Sequence, residues 1–213
     1  MNKLLLILPL SCLLFFSCKK EEEEPEDTQP NNFFENLAFN STNAYFSTDG
    51  SMSAPVDAEK AKEIAEKIDI TFIYDYDYSQ PGFFDPVARS EEYYWDNFHQ
   101  PWLEVAVETR FYVTDLSKEQ FDATKKDDAL ISKYFADNDF SLAPHSIFPE
   151  GSCIGGRQSG EGATVPLATG AVFGFENTSS GKKGLLYIRT DQPSAWPYVL
   201  MSPDTKVDII RER

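Results

Sequence analysis

Cysteine and histidine are both scarce in this chain. Of its 213 residues three are cysteines, two of them within the first 18, and the histidines are His99 and His145. Cys153 stands alone in the rest of the chain and cannot form an internal disulfide, so the fold must rest on packing. Isolated histidines, and the lack of any Cys/His spacing typical of zinc sites, predict no catalytic residue, no metal and no cofactor.

Positive charge is scarce as well. Nineteen Lys and Arg residues stand against 35 Asp and Glu residues, for a formal net charge of −16. The basic residues form no cluster in the sequence, and a phosphate backbone would repel a chain of this charge. We therefore expect no nucleic-acid partner.

Long apolar runs are missing except at the N-terminus. Leu4 to Phe16 is apolar at all but three positions and follows Lys3. As a helix this run covers roughly 20 Å, which is short of the ~30 Å hydrocarbon layer of a membrane. A charged start and a short apolar core are the pattern of a secretory signal. We expect the chain to be exported and residues 1–17 to be removed.

A cysteine ends this run, in the sequence Phe15-Phe16-Ser17-Cys18. The segment resembles the lipobox of bacterial lipoproteins, in which apolar residues and one small residue precede a cysteine. The resemblance implies that Cys18 receives a diacylglyceryl group, becomes the first residue of the mature chain and is acylated again. Two or more acyl chains make a stable membrane anchor. Cys12 is the rival position, and an ordinary secretory signal is the other alternative.

An acidic segment follows that cysteine. Lys19 to Pro30 holds two lysines, five glutamates and one aspartate, which cannot offset the entropy of ordering by burial. We predict a disordered linker over residues 18–40 and one globular domain over residues 41–213. Lysine followed by acidic residues after the cysteine resembles the surface-export signal of Bacteroidota lipoproteins. The resemblance implies an outer-membrane protein that faces the cell exterior, with the periplasmic face as the alternative.

Two segments of the domain alternate apolar and polar residues, as half-buried strands do. In one of them, the predicted buried face takes Leu103, Val105, Val107, Thr109, Phe111 and Val113. In the other, which runs from Ile68 to Tyr78, it takes Ile68, Ile70, Phe72, Tyr74, Tyr76 and Tyr78. The residues between them, such as Asp69 and Thr71, are predicted to face solvent.

Further strands are predicted near both ends of the domain. Gly170–Glu176 and Gly184–Thr190 flank a polar stretch and read as a hairpin. Lys206–Arg211 is predicted as a last strand with Val207 and Ile209 facing inward, and Asn43–Thr48 as a strand at the front.

Helical periodicity appears in two regions. The stretch that begins at Asp57, a capping residue, buries a stripe of Ala61, Ile64, Ala65 and Ile68. Ser117 and Gln120 form a capping box, and Leu116 and Phe121 a hydrophobic staple. A further helix is predicted over Lys126 to Ala136. The whole pattern predicts an α+β domain, a mainly antiparallel sheet with two to three helices packed on one face.

Three stretches of the domain carry a second resemblance. They read IDITFIYDY, TRFYVTDLSKEQFDA and GAVFGFENTSSGKKGLLYIRT. Together they are similar to an uncharacterised group of Bacteroidota lipoproteins. This resemblance implies no site residues.

Aromatic residues concentrate between Tyr74 and Trp102. They make up ten of the 29 residues there, against 14% of the whole chain. Rings next to polar side chains are what a sugar-binding surface uses. We take as the candidate ligand site the residues Trp95, Trp102, Asp96, Asn97 and His99. At least one of the two indoles should then be more than a third exposed, whereas packing alone predicts both buried with their N–H groups bonded internally.

The predicted function is that of a non-catalytic binding or envelope-structural module. Its partners are then the membrane, through the acyl chains on Cys18, and a glycan, a peptide or an outer-membrane protein. The alternative is an exported hydrolase that uses carboxylates, such as a glycosidase, since acidic residues are abundant throughout the domain.

Overall fold

The domain consists of two antiparallel sheets with short helices, which confirms the predicted α+β class. The computed structural model describes residues 32–75, 80–90, 99–143, 151–155, 167–192 and 204–213. The strands are β1 (Phe33–Phe39), β2 (Tyr45–Phe46), β3 (Ile70–Asp75), β4 (Gln80–Phe84), β5 (Thr109–Val113), β6 (Ser141–Leu142), β7 (Cys153–Gly155), β8 (Val172–Asn177), β9 (Lys183–Ile188) and β10 (Thr205–Arg211). The helices are α1 (Ala58–Lys62), α2 (Pro86–Ser90), α3 (Lys118–Thr124) and α4 (Ala129–Asp137), with 3₁₀ turns at Ala65–Lys67 and Pro101–Val105.

The main core lies between the two sheets. One sheet has the strand order β1-β10-β9-β8-β5-β6 and the other the order β2-β3-β4-β7. Phe39 of the first sheet contacts Phe72 and Phe83 of the second, with ring centroids 6.0 and 5.0 Å apart. Phe111 and Phe175 belong to the same cluster and are fully buried. Aromatic rings therefore pack directly across the interface between the two sheets.

Helices α3 and α4 cover the other face of the six-stranded sheet. Their buried residues Phe121 and Ile131 pack in one cluster with Leu185, Tyr187 and Ile210 of the sheet. The predicted capping box is confirmed, because Gln120 N–H donates to Ser117 Oγ at 3.3 Å and Ser117 N–H to Gln120 Oε1 at 2.8 Å. Leu116 of the predicted staple belongs to the same cluster as Phe121.

The predicted hairpin is confirmed as β8 and β9, which are paired from Val172↔Tyr187 to Glu176↔Lys183. Gly184 of this hairpin lies under the ring of Phe175. A Cβ added at Gly184 would stand 2.1 Å from Phe175 Cζ and 2.6 Å from the Ile210 carbonyl oxygen. The glycine therefore leaves the space that this ring fills.

Three further predictions are confirmed. The last strand buries Val207 and Ile209, and Tyr45–Phe46 forms the front strand. Asp57 caps α1 by accepting from the Lys60 N–H at 3.0 Å. The helix is shorter than its stripe, however, since it ends at Lys62 and a 3₁₀ turn carries the buried Ala65.

The predicted strand from Leu103 to Val113 is wrong in its first half. Residues 101–105 form a 3₁₀ helix with proline near its start, where a fixed φ and a missing N–H suit a helix. Leu103 is buried from this helix, whereas Val105 is 57% exposed. The Val107 N–H bonds to the Ile68 carbonyl oxygen at 2.9 Å, and the strand begins only at Thr109.

The prediction that one face of the Ile68–Tyr78 strand is exposed to solvent is also wrong. Asp69 and Thr71 are 1% and 0% exposed. The strand β3 lies between β2 and β4, and its second face packs Ile73 against Phe84 and Cys153. Burial on both faces removes the solvent side that alternation predicts. Tyr74 is buried as predicted, and Tyr76 and Tyr78 lie outside the described residues.

The predicted linker boundary at residue 40 is too late. Phe33–Phe39 is a strand that pairs with β10 along its length. Its apolar pattern is hidden by a bulge, since Phe34 faces Ile209 while Leu37 faces Val207. Asn36 sits in this bulge with φ 55° and donates its N–H to Asp208 Oδ1 at 2.8 Å. An extra residue breaks the period of two on which strand recognition depends.

Candidate functional site

Two short helices hold the two ends of residues 91–98. Helix α2 ends at Ser90, and the 3₁₀ helix begins at Pro101. The Gln100 N–H donates to the Arg89 carbonyl oxygen at 2.8 Å. The His99 Nε2 lies 3.0 Å from the Ser90 carbonyl oxygen. Because a carbonyl can only accept, this nitrogen of His99 carries a hydrogen. Residues 86–90 and 99–105 are called the stem below.

A buried carboxylate fixes the first half of the stem. Asp85 accepts from the Val87 N–H at 3.2 Å and from the Ala88 N–H at 3.1 Å, which are free donors at the start of α2. It also accepts from the Thr109 N–H at 2.9 Å and so ties the stem to β5. Asp followed by Pro86 is a helix-start signal that could have revealed α2 in the sequence.

The indole of Trp102 fixes the other half of the stem. Its Nε1–H donates to Gln100 Oε1 at 2.7 Å, and its ring lies 5.2 Å from that of Tyr45. The Lys62 ammonium lies 5.8 Å from the Trp102 ring centroid, and the Arg89 guanidinium lies 5.2 Å from that of Tyr45. Aromatic and cation–π contacts therefore hold this ring in one place.

Of the five residues predicted as a ligand site, His99 and Trp102 both lie in the stem. Trp95, Asp96 and Asn97 lie outside the described residues. Trp102 is partly buried and bonds its N–H internally, and this internal bond is what the packing alternative predicts for it. The prediction of a substantially exposed indole therefore now depends on Trp95.

The partners of Trp102 are not predictable from the sequence. Tyr45 and Lys62 lie 57 and 40 positions earlier in the chain. They contact this ring only because β2 and α1 come together at the stem. No local signal connects these residues in the sequence.

A second group of polar residues lies wholly inside the domain. Asp69 accepts from the Thr48 N–H at 3.0 Å, from the Thr48 hydroxyl, and from Asn177 Nδ2 at 3.2 Å. Asn177 Oδ1 accepts from the Thr109 hydroxyl at 3.1 Å, and the N–H of Thr109 bonds to Asp85. We call Thr48, Asp69, Asn177, Thr109 and Asp85 the carboxylate network.

Burial decides the protonation of this network. It raises the pKa of Asp69 to about 6 and that of Asp85 to about 6, because loss of hydration disfavours the charged forms more than the hydrogen bonds favour them. Asp69 and Asp85 are only 1% and 6% exposed. A glycosidase needs two carboxyls that flank a bond of the substrate. These two carboxyls bond to internal donors, so the network acts as a structural tie.

Cys153 belongs to strand β7. It packs against Ile73 and Phe84 and is 1% exposed. Burial raises the pKa of its thiol well above the ordinary value, so the reactive thiolate is not formed at neutral pH.

Comparison with protein-family models, with curated proteins and with solved structures finds no match for this chain. Within the described ranges, no group of three or more His, Cys, Asp or Glu side chains is arranged to hold a metal ion. No helix in that part of the chain combines the length and the apolar character needed to cross a membrane.

Proposed function

We propose that this chain is an exported lipoprotein that the acyl chains on Cys18 anchor in the outer membrane, facing the cell exterior. Its domain acts as a non-catalytic binding module. The proposal is supported by the order of segments, in which an apolar run, a cysteine and an acidic linker precede the first strand at Phe33. A disordered, self-repelling linker would keep the domain away from the bilayer.

The observation that carries the binding role is the stem. It fixes both ends of residues 91–98, whose sequence EEYYWDNF has four aromatic residues and four acidic or amide residues. Short segments on a rigid scaffold carry binding more often than the elements that they connect. Fixed ends also reduce the entropy that such a segment loses when it binds a ligand.

A glycan is the ligand class that this composition favours. Aromatic rings stack on the C–H faces of sugars, while carboxylates, amides and imidazole bond to the hydroxyls. Trp95 is the proposed stacking ring, with Asp96, Asn97 and His99 as the polar contacts. Trp102 then acts as a support, because its ring and N–H are held by the stem.

Glycan binding by Trp95 is testable by tryptophan fluorescence. We expect a panel of host and plant glycans to include one that shifts the emission of the folded domain. Trp95→Ala should weaken its binding by about tenfold, the typical loss for an aromatic residue that contributes ~1.4 kcal/mol.

The control for this experiment is Val105→Ala, which changes an exposed residue of the stem and should bind as the wild type does. The glycan proposal would be contradicted if no glycan shifted the tryptophan emission, or if wild type and Trp95→Ala bound a glycan with equal affinity. A pull-down with the intact, lipidated protein would then identify an outer-membrane protein partner.

A further inference from the structure

The first and the last strand that the structure describes lie next to each other. Strand β1 is at the edge of the six-stranded sheet, and in the described part of the chain its one strand partner is β10. Paired positions such as Phe34 and Ile209 are 175 residues apart in the sequence. The six-stranded sheet is therefore complete only when segments from both ends of the domain are present.

The main core depends on this strand pair. At most 4% of the side-chain surface is exposed on Phe34, Leu37 and Phe39 of β1. The ring of Phe46, on the four-stranded sheet, lies 5.0 Å from that of Phe34 and 6.0 Å from that of Phe39. Pairing with β10 holds β1 in the sheet, so that these side chains can pack against the other sheet.

Asp128 holds one end of the strand pair together. It lies at the N-cap position of α4, yet its side chain makes no capping hydrogen bond. Asp128 Oδ2 instead accepts from Asn32 Nδ2 at 2.9 Å and from the N–H and Nε–H of Arg213 at 3.0 and 3.1 Å. Asn32 Nδ2 also donates to the Arg211 carbonyl oxygen at 2.9 Å. One carboxylate therefore joins the residue before β1 to a residue just after β10.

Two further hydrogen bonds join the middle and the other end of the pair. The Asn36 N–H at the bulge donates to Asp208 Oδ1 at 2.8 Å, and Asn40 Nδ2 donates to Asp204 Oδ1 at 2.9 Å. These bonds connect residues 172 and 164 positions apart. Each of them needs both segments in place before it can form.

We propose that β1 and β10 are the closing pair of this domain, which join last, so that the main core is completed only after both strands have crossed the membrane. Contacts between distant residues require a large loop to close and form slowly. The neighbouring pairs β3–β4 and β8–β9, in contrast, join residues at most 15 positions apart. A signal segment leads a chain across the membrane from its N-terminus, which leaves β1 unpaired until β10 follows. This role rests on the export proposed above, whereas the order of folding does not.

Pulsed hydrogen exchange during refolding of the full chain tests the order of closure. We expect amides bonded between β3 and β4 and between β8 and β9 to become protected first. Amides bonded between β1 and β10 should become protected together and last. Protection of the β1–β10 amides before or together with the others would overturn the proposal. Because refolding is followed without a membrane, the result does not depend on whether the chain is exported.

Asp128→Ala tests the same order through folding rates. A contact that forms after the transition state affects unfolding and leaves refolding unchanged. We expect this variant to unfold about tenfold faster, because hydrogen bonds to a charged group are lost, and to refold at the wild-type rate. The control is Asp137→Ala, which removes another aspartate of α4.

Asp137 forms an exposed ion pair with Lys133, and its replacement should change neither rate by more than about twofold. Slower refolding of Asp128→Ala with an unchanged unfolding rate would show that the Asp128 contacts form early. That result would contradict the closing pair.

Discussion

Replacing Phe111 with aspartate is expected to destabilise the domain by at least ~3–5 kcal/mol, the range for truncating a buried aromatic ring, or to prevent folding. The ring is fully buried between the two sheets, and an unpaired carboxylate in its place would add a desolvation cost. Val105→Asp should change the stability by no more than ~0.5 kcal/mol, as surface substitutions do. Sequence alternation puts both residues on one buried face, whereas Val105 is 57% exposed.

Urea unfolding of the wild type and the two variants measures this difference directly. The largest effect that we expect is that Phe111→Asp, and not Val105→Asp, loses its cooperative unfolding transition. Similar losses of stability in both variants would contradict the 3₁₀ helix at Pro101–Val105 and would restore the longer strand predicted from the sequence.

Replacing Cys18 with alanine is expected to abolish lipidation of the protein. The acyl chains proposed on Cys18 would be its membrane anchor, and alanine cannot receive them. The variant should appear in the soluble fraction or keep its signal uncut, and should lose metabolic labelling by fatty acids. Cys12→Ala changes the rival cysteine and should fractionate and label as the wild type does.

A Cys18→Ala protein that stays in the membrane and still carries label would refute the assignment of the anchor. Loss of label in Cys12→Ala alone would move the anchor to Cys12. Absence of fatty-acid label from the wild type itself would favour an ordinary secretory signal.

Local signals in the sequence predicted much of the fold. The Ser117–Gln120 capping box and the Asp57 cap are confirmed because they depend on residues within one helical turn. The hairpin of β8 and β9 is confirmed because its strands are neighbours in the chain. These features need no knowledge of the rest of the domain.

Features that depend on distant parts of the chain were not predictable in this way. The bulge at Asn36 is stabilised by Asp208, 172 positions away. The sequence predicts that Asp69 faces solvent. In the folded domain Asn177, 108 positions away, donates a hydrogen bond to it. Burial on both faces of β3 likewise depends on which strands surround it. Tertiary context overrides the period of two in each case.

The candidate site was likewise predictable only where its signals are local in the sequence. The sequence pointed to the aromatic stretch that ends at Trp102, and the structure places His99 and Trp102 in the stem. The roles of Tyr45 and Asp85 in holding the stem could not be inferred, because β2 and β5 contact it only in the folded domain.

Protease treatment of intact cells is the most direct test of a surface-displayed lipoprotein. The account predicts that external protease digests the wild-type protein. It also predicts that replacing the four glutamates at positions 21–24 with glutamine protects it, because the export signal proposed in this acidic run would then be lost. Both proteins should be digested after lysis. A wild-type protein that resists protease on intact cells, yet is digested once they are lysed, would contradict surface display.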